Sequence, residues 1–383
     1  MATDTVTSPV RLAITGAVGF FVIGVLVSVL GPTLPELRDR HDLAGVGGGM
    51  LVAAYAVGSV LGVGFAGYLR HRVSPGRLTS VGAVALAVGS AAVPAAPSGV
   101  LAGAGLLLAG FGLGMLDLLL NLLLATGFGA RSGAVLSAVS ATFGVGAVLT
   151  PLVVGRSPTD LRLPYLLCAG GALALLALTT TLKTVATTAP DRKDGKVQLP
   201  LMLLLGGVLL GYVAFESGVA GWETTHLLGV TAMSPSGAAN AVALFWLGLT
   251  LGRLAGASLA LRLHPGLLAV GSLALATMAV AFAGRSSFAV LAYAVTGFAL
   301  APVFPAVITW YAQAVPSGRG ATRVFAAGLA GPVIGSPLLG LVTDTAGVGA
   351  VPWALSAFGV VTTGAAAYCY LTRRRDTELV PAK

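Results

Sequence analysis

The sequence predicts an all-α membrane protein: twelve transmembrane helices in two six-helix bundles, with the N- and C-termini in the cytoplasm. Three observations support this fold class, namely the composition, the apolar stretches and an internal repeat. Of the 383 residues, 56% are hydrophobic and only 9% are charged, whereas soluble globular proteins carry about 25% charged residues. The composition therefore excludes a water-soluble protein.

Twelve apolar stretches are long enough to cross a hydrocarbon layer of about 30 Å as helices. We number these predicted spans 1 to 12; they cover residues 12–35, 45–69, 78–97, 100–126, 133–155, 163–182, 199–222, 237–261, 266–284, 288–315, 324–343 and 348–372. Asp117, Glu216 and Arg253 are the charged residues predicted to lie inside the spans, and all four histidines are placed in loops or at helix ends. A break in span 7 is expected near Gly221.

The positions of Lys and Arg predict the orientation in the membrane. If the N-terminus is cytoplasmic, 17 of the 22 bases lie on the cytoplasmic side and five lie outside, as the positive-inside rule requires. We therefore expect a multi-pass protein of the plasma (inner) membrane. The net charge of +9 is explained by these short loops, so nucleic acid is not an expected partner.

An internal repeat divides the chain into a first bundle (1–182), a cytoplasmic linker (183–198) and a second bundle (199–383). Spans 2, 4 and 5 match spans 8, 10 and 11 at nearly constant offsets. The matched positions are Gly58 with Gly248, Gly62 with Gly252, Gly110 with Gly297, Gly114 with Ala301, and Pro151 with Pro337. An even number of helices per copy gives a parallel repeat, an architecture of secondary transporters that work by alternating access. One chain contains both copies, so a monomer is expected to suffice.

Four segments resemble the major facilitator superfamily, and within it the fucose-permease-like group of sugar:proton symporters. They are Gly112–Asp117 followed by Asn121, Tyr212–Trp222, Phe245–Arg253, and Gly297–Pro305. The resemblance implies a proton-coupled transporter of a sugar. In that group the acid of the span 4 pattern is implicated in proton coupling, and Asp117 is the matching residue.

Asp117 is the first candidate for proton coupling. A carboxyl group inside a bundle is tolerated when it faces a cavity or another polar group, and it can bind and release a proton there. Asn121 lies one helical turn further on the same face, where it could bind substrate or orient Asp117. The alternative role for Asp117 is a structural hydrogen bond to a neighbouring helix.

Glu216 is the second candidate for proton coupling. Tyr212 shares its helical face and Trp222 follows, which gives a carboxyl group beside aromatic surface; the alternative is a solvated Glu216 near the water boundary. Arg253 is assigned to gating at a helix end or to snorkelling, with anion binding as the alternative. Tyr55, Trp246 and Phe304 are candidates for lining the substrate cavity, or else face lipid.

These residues leave three functions open. The first is proton-coupled uptake of a sugar or a sugar-like solute, with H⁺ as the coupling ion and Na⁺ as the alternative. The second is proton-driven export of a hydrophobic or cationic compound, because Asn and Gln occur only at positions 121, 240, 198 and 313. The third is a non-transporting membrane sensor. No histidine motif suits a metal or an enzyme, so no cofactor and no metal site are expected.

Overall fold

The computed structural model describes residues 8–128, 131–179, 198–315 and 320–378. Within these ranges the chain forms helices joined by short loops. The helices are α1 (Pro9–Arg40), α2 (Gly45–Leu69), α3 (Pro75–Ala95), α4 (Gly99–Gly127), α5 (Ser132–Arg156), α6 (Arg162–Thr179), α7 (Leu199–Val230), α8 (Pro235–Ala260), α9 (Pro265–Phe282), α10 (Ala289–Leu300), α11 (Val303–Ala314), α12 (Ala321–Leu329), α13 (Gly331–Ala346) and α14 (Val351–Glu378). The predicted linker 183–198 lies outside the described residues except for Gln198.

Several helices begin where the sequence supplies a cap. Ser8 and Ser98 accept hydrogen bonds from the backbone amides of Arg11 and Leu101, at 3.3 and 3.4 Å. Proline occupies the first turn of α1, α3, α7 and α9, where its missing N–H has no helical partner to lose. These local signals place the helix starts within a few residues of the predicted spans.

The prediction of twelve spans is confirmed. The described residues contain twelve helical stretches that are long and apolar enough to cross a membrane, with α10 and α11 together forming the tenth and α12 and α13 the eleventh. Large apolar side chains remain exposed along them, for example Leu61, Leu203, Leu291 and Val361. Such side chains are suited to contact with lipid tails.

The chain divides into two compact units. The first consists of Met1–Ala189 and Met233–Ala243, and the second of Pro190–Ala232 and Leu244–Lys383. The first unit thus contains α1 to α6 with the start of α8, and the second contains α7, the rest of α8 and α9 to α14.

In the first unit, glycines bring the backbones of α2 and α4 into direct contact. A Cβ atom added at Gly58 would lie 2.9 Å from the carbonyl carbon of Leu107, and one at Gly110 would lie 2.9 Å from that of Tyr55. Gly62 and Gly114 make the same kind of contact with the opposite helix. Small residues at such positions are typical of membrane helix pairs.

The second unit repeats this contact between α8 and α10. A Cβ atom at Gly252 would lie 2.9 Å from the carbonyl carbon of Phe298, and one at Gly297 would lie 3.1 Å from that of Phe245. These glycines are the partners of Gly62 and Gly110 in the sequence repeat. The repeat therefore corresponds to a helix contact that both units contain.

Helix α7 differs from the predicted span 7. It is continuous from Leu199 to Val230, so the end at residue 222 and the break near Gly221 were wrong. Glu223 and His226 therefore lie inside the helix, contrary to the prediction that Glu216 is the only acid in the spans of the second half and that all histidines lie in loops or at helix ends. The helix continues through these polar residues because they are buried against neighbouring helices, at 0% and 1% exposed.

Spans 10 and 11 are each interrupted, where continuous helices were predicted. The first interruption is at Ala301 and Pro302, and the second is at Ala330, two residues before Pro332. Proline has no N–H to donate to the helical ladder, so a backbone hydrogen bond is missing at each interruption. Both prolines lie at the beginning of the helix that follows.

Candidate functional site

The predicted pair in the first unit is formed on α4. The side-chain amide of Asn121 donates to Oδ1 of Asp117 at 3.1 Å and to the backbone carbonyl of Asp117 at 2.8 Å. Both side chains are partly buried. The i,i+4 spacing that suggested the pair thus gives a carboxyl group whose Oδ1 is held by an amide.

Tyr55 of α2 lies beside this pair, close enough to Asp117 for an electrostatic interaction. Its hydroxyl is buried and has no hydrogen-bond partner among the described residues. The close approach of Gly110 and Gly114 to α2 sets this arrangement, because Asp117 follows Gly114 by about one turn. The structure therefore brings together all three first-unit residues that the sequence singled out.

Tyr165 of α6 is a neighbour of this site that sequence reasoning missed. It is buried, interacts with Tyr55, and shares a hydrogen bond of 3.2 Å with Thr33 of α1. Nothing in the sequence distinguishes this tyrosine from others at a helix end. The contact depends on the packing of three helices.

In the second unit, Glu216 and Tyr212 hydrogen-bond through their side chains along α7. Arg253 of α8 lies close enough to act electrostatically on both groups. Glu216 is partly buried and Arg253 is exposed. The sequence predicted the shared face of Tyr212 and Glu216, but it did not predict that Arg253 joins them.

Aromatic rings lie next to Tyr212, the partner of Glu216 on α7. The ring of Phe304 on α11 lies 6.3 Å from that of Tyr212, and the ring of Phe325 on α12 lies 5.7 Å from Phe304, measured between centroids. Phe304 was predicted to line the cavity, whereas the sequence analysis did not single out Phe325. An apolar wall beside a carboxyl group suits a ligand with both apolar and polar faces.

The two predicted tryptophans are buried within the second unit. Trp222 is 0% exposed and Trp246 is 2% exposed, the latter in a T-shaped contact with Phe245 at 5.3 Å. Their roles in substrate binding remain predictions, and such contact would require these side chains to become accessible.

A third polar cluster, absent from the predictions, lies near the end of α7. The Tyr293 hydroxyl of α10 and Nδ1 of His226 are 3.0 Å apart, and Glu223 interacts electrostatically with Tyr293. The run Glu-Thr-Thr-His at 223–226 was the available signal, because four polar residues in succession at the end of an apolar stretch mark either a helix end or a buried site.

These arrangements are suited to binding protons and small solutes. Asp117 and Glu216 are each partly buried and each have a polar neighbour on the same helix. Within the described residues, no group of three His, Cys, Asp or Glu side chains could hold a metal ion.

Comparisons with known proteins agree with this fold. The family model described as Major Facilitator Superfamily matches residues 16–322. The membrane protein MosC of Rhizobium meliloti is 24% identical over 97% of this chain and 93% of its own length.

Solved structures show the same architecture. A nucleoside transporter, NupG, superposes with a TM-score of 0.78 at 15% identity, covering 94% of this chain and 98% of that one. A D-xylose-proton symporter gives 0.76 at 16% identity, covering 93% and 97%. The fucose:proton symporter of E. coli gives 0.63 at 17% identity, covering 93% and 98%. Since the family model covers most of the residues and the twelve spans form the expected fold, the chain belongs to the Major Facilitator Superfamily of membrane transporters.

Proposed function

We propose that the protein is a proton-coupled secondary active transporter of a small organic solute, a sugar or a sugar-like compound, that works by alternating access. The observation that carries the proposal is one partly buried acidic residue in each unit with a polar partner on its own helix, Asp117 with Asn121 and Glu216 with Tyr212. We place the protein in the plasma membrane with cytoplasmic termini, in accordance with the distribution of its bases. The halves 1–182 and 199–383 are its two proposed moving bodies.

The names of the similar proteins support the class of substrate. Two of the solved structures with this fold are of transporters named for proton symport of xylose or fucose, and a third transports nucleosides, which contain a sugar. In the second unit, a sugar ring would stack on Phe304 and Tyr212, and its hydroxyl groups would bond to Glu216. In the first unit, Asn121 and Asp117 offer hydrogen-bonding groups of the same kind. Arg253 would act as a gate by pairing with Glu216 when the site is empty.

A second candidate is the proton-driven export of a hydrophobic or cationic compound. The observation that favours it is the aromatic wall of Phe304 and Phe325 beside Glu216, together with the small number of amide side chains. A cationic ligand would be attracted both to the carboxylate of Glu216 and to the faces of the aromatic rings. It would exchange for a proton instead of accompanying one.

A thermal-shift screen distinguishes these candidates. The purified protein is heated with pentoses, hexoses and nucleosides, and separately with lipophilic cations of similar size. A ligand that binds only the folded state at about 100 times its Kd stabilises it by about 2.7 kcal/mol, so the melting temperature should rise for one class. We expect sugars or nucleosides to raise it. A rise in melting temperature with cations alone would instead favour export. A ligand that binds but is not transported in proteoliposomes would favour the role of a non-transporting sensor.

Glu216→Gln should weaken ligand binding or alter its pH dependence. Glutamine has nearly the shape of protonated glutamic acid and keeps the contact with Tyr212, but it cannot release a proton or form an ion pair with Arg253. The affinity for the ligand found in the screen is measured from pH 5 to 9, with Glu36→Gln as the control because Glu36 pairs with Arg40 at 3.2 Å in the first unit. If the affinity of Glu216→Gln varied with pH as that of the unmodified protein does, Glu216 would instead be a solvated residue near the water boundary.

A further inference from the structure

One turn of α7 is polar on every side and is nonetheless enclosed. Glu223, Thr224, Thr225 and His226 follow one another near the end of the helix, and they are 0%, 2%, 7% and 1% exposed. Buried polar side chains normally have hydrogen-bond partners, and an unpaired one costs free energy. A fully enclosed run of four is therefore expected to have a function.

The partners of this turn are incomplete. Nδ1 of His226 is bonded to the Tyr293 hydroxyl at 3.0 Å, and the two rings meet edge to face with centroids 5.7 Å apart. Both carboxyl oxygens of Glu223 and Nε2 of His226 are buried with no hydrogen-bond partner among the described residues. The hydroxyl groups of Thr224 and Thr225 are also buried with no hydrogen-bond partner among the described residues.

Arg323 of α12 and Arg373 of α14 are engaged at the other end of α7. Arg323 of α12 interacts with Tyr311 of α11, whose hydroxyl lies near Met202 in the first turns of α7. Arg373 of α14 hydrogen-bonds to Gln198, the residue before α7. These cations therefore do not compensate a charge on Glu223.

The remaining elements around this turn supply one titratable group that faces Glu223. Asp344 of α13 is exposed. Arg253 of α8 interacts with Glu216, which lies seven residues before Glu223 on α7. Tyr293 of α10 is the described side chain that interacts electrostatically with Glu223, and a neutral phenol cannot neutralise a carboxylate. An ionised carboxylate enclosed without a cation is very costly, so Glu223 must carry a proton or hold a cation in this conformation.

We infer that Glu223, with His226 and Tyr293, forms a second proton-binding site in the second unit. Glu223 takes up a proton as a carboxylic acid when it is enclosed and releases it when this end of α7 opens to water. Tyr293 fixes the His226 ring through Nδ1, which leaves Nε2 as the free nitrogen. Glu216 lies two turns away on the same face, about 10 Å along the axis, so α7 presents two proton-binding groups in line. The role of this proton in transport rests on the proposed function, whereas the proton-binding site itself does not.

Infrared difference spectroscopy of the full-length protein tests the site directly, without a substrate. The protein is purified in a detergent that lacks ester groups, and the carbonyl band of protonated carboxylic acids is recorded as the pH is raised. We expect a band at neutral pH that loses the intensity of one carboxyl group in Glu223→Gln. Glu36→Gln is the matched control and should leave the band unchanged, because Glu36 is paired with Arg40.

Two further measurements sharpen this result. Tyr293→Phe, which removes the bond to His226, should shift the pH at which the band disappears, whereas a merely structural role for the tyrosine would leave that midpoint unchanged. Repeating the titration with Na⁺ in place of choline tests the nature of the cation. Loss of the band on addition of Na⁺ at fixed pH would overturn the proton assignment in favour of a sodium site.

An unchanged band in a folded Glu223→Gln protein would overturn the inference. Glutamine retains the shape of the protonated acid, and an equal melting temperature would show that the fold is kept. Failure of the proposed function is a separate outcome, since it would appear as the absence of substrate-driven proton movement in proteoliposomes while the Glu223 band persists.

Discussion

Asp117→Asn is expected to abolish substrate-driven proton movement while the protein remains folded. The substitution keeps the shape of the side chain and the hydrogen bond from the amide of Asn121 can be replaced by one to the new carbonyl oxygen, so α4 should not be disturbed. An amide cannot take up or release a proton, and the coupling proposed for Asp117 needs both steps. The loss should therefore fall on transport and not on stability.

The measurement uses proteoliposomes with a pH-sensitive dye inside. Substrate is added without a pH gradient, and the initial rate of the pH change is compared with the uptake of labelled substrate. We expect the proton signal to fall to background in Asp117→Asn, while exchange of substrate across the membrane continues. Asp39→Asn is the control, because Asp39 is exposed at the end of α1. If Asp117→Asn moved protons as fast as the unmodified protein, Asp117 would not be the coupling residue and its role would be a structural hydrogen bond.

Gly110→Ala should destabilise the first unit strongly, although it adds one methyl group. The added carbon would lie 2.9 Å from the carbonyl carbon of Tyr55 and closer still to its oxygen. These are backbone atoms and cannot rotate away, so α2 must shift as a whole. Overpacking of this kind usually costs about 1–3 kcal/mol. Tyr55 would also move away from Asp117, so that transport should be lost along with stability.

Gly64→Ala provides the matched control for this substitution. Gly64 lies on α2, yet a Cβ atom there would meet nothing within 4 Å. The melting temperature in detergent should fall by several degrees for Gly110→Ala and remain within a degree or so for Gly64→Ala. Gly297→Ala, with Gly271→Ala as its control, should give the same contrast in the second unit. Equal melting temperatures for Gly110→Ala and Gly64→Ala would show that the two helices do not need this close approach.

Sequence periodicity predicted those parts of the site that lie on a single helix. Residues four apart share a helical face, and both the Asp117–Asn121 pair and the Tyr212–Glu216 pair have this spacing. The matched glycines likewise indicated where helices meet, because close backbone contact leaves no room for a side chain. The contacts of Arg253 with Glu216 and of Tyr293 with His226 join different helices, and no spacing along the chain encodes them.

Glu223 shows a different reason for failure. A span was taken to end at the first group of polar residues, which assumes that the polarity of a segment decides whether it is enclosed. In the structure, the neighbouring helices decide this, since Glu223 is 0% exposed and Tyr293 of α10 interacts with it. A charged residue at the end of an apolar stretch is therefore ambiguous until its neighbours are known.

The interruptions at Pro302 and Pro332 make the two copies of the repeat mechanically unequal. Pro302 corresponds to Met115 of α4 and Pro332 to Gly146 of α5, and both first-unit helices run through these positions without a break. A missing backbone hydrogen bond is a common place for a helix to bend. The second copy thus has two interruptions at positions where the first copy is continuous, so bending at these two positions during transport should occur in the copy that also contains Glu216 and Glu223.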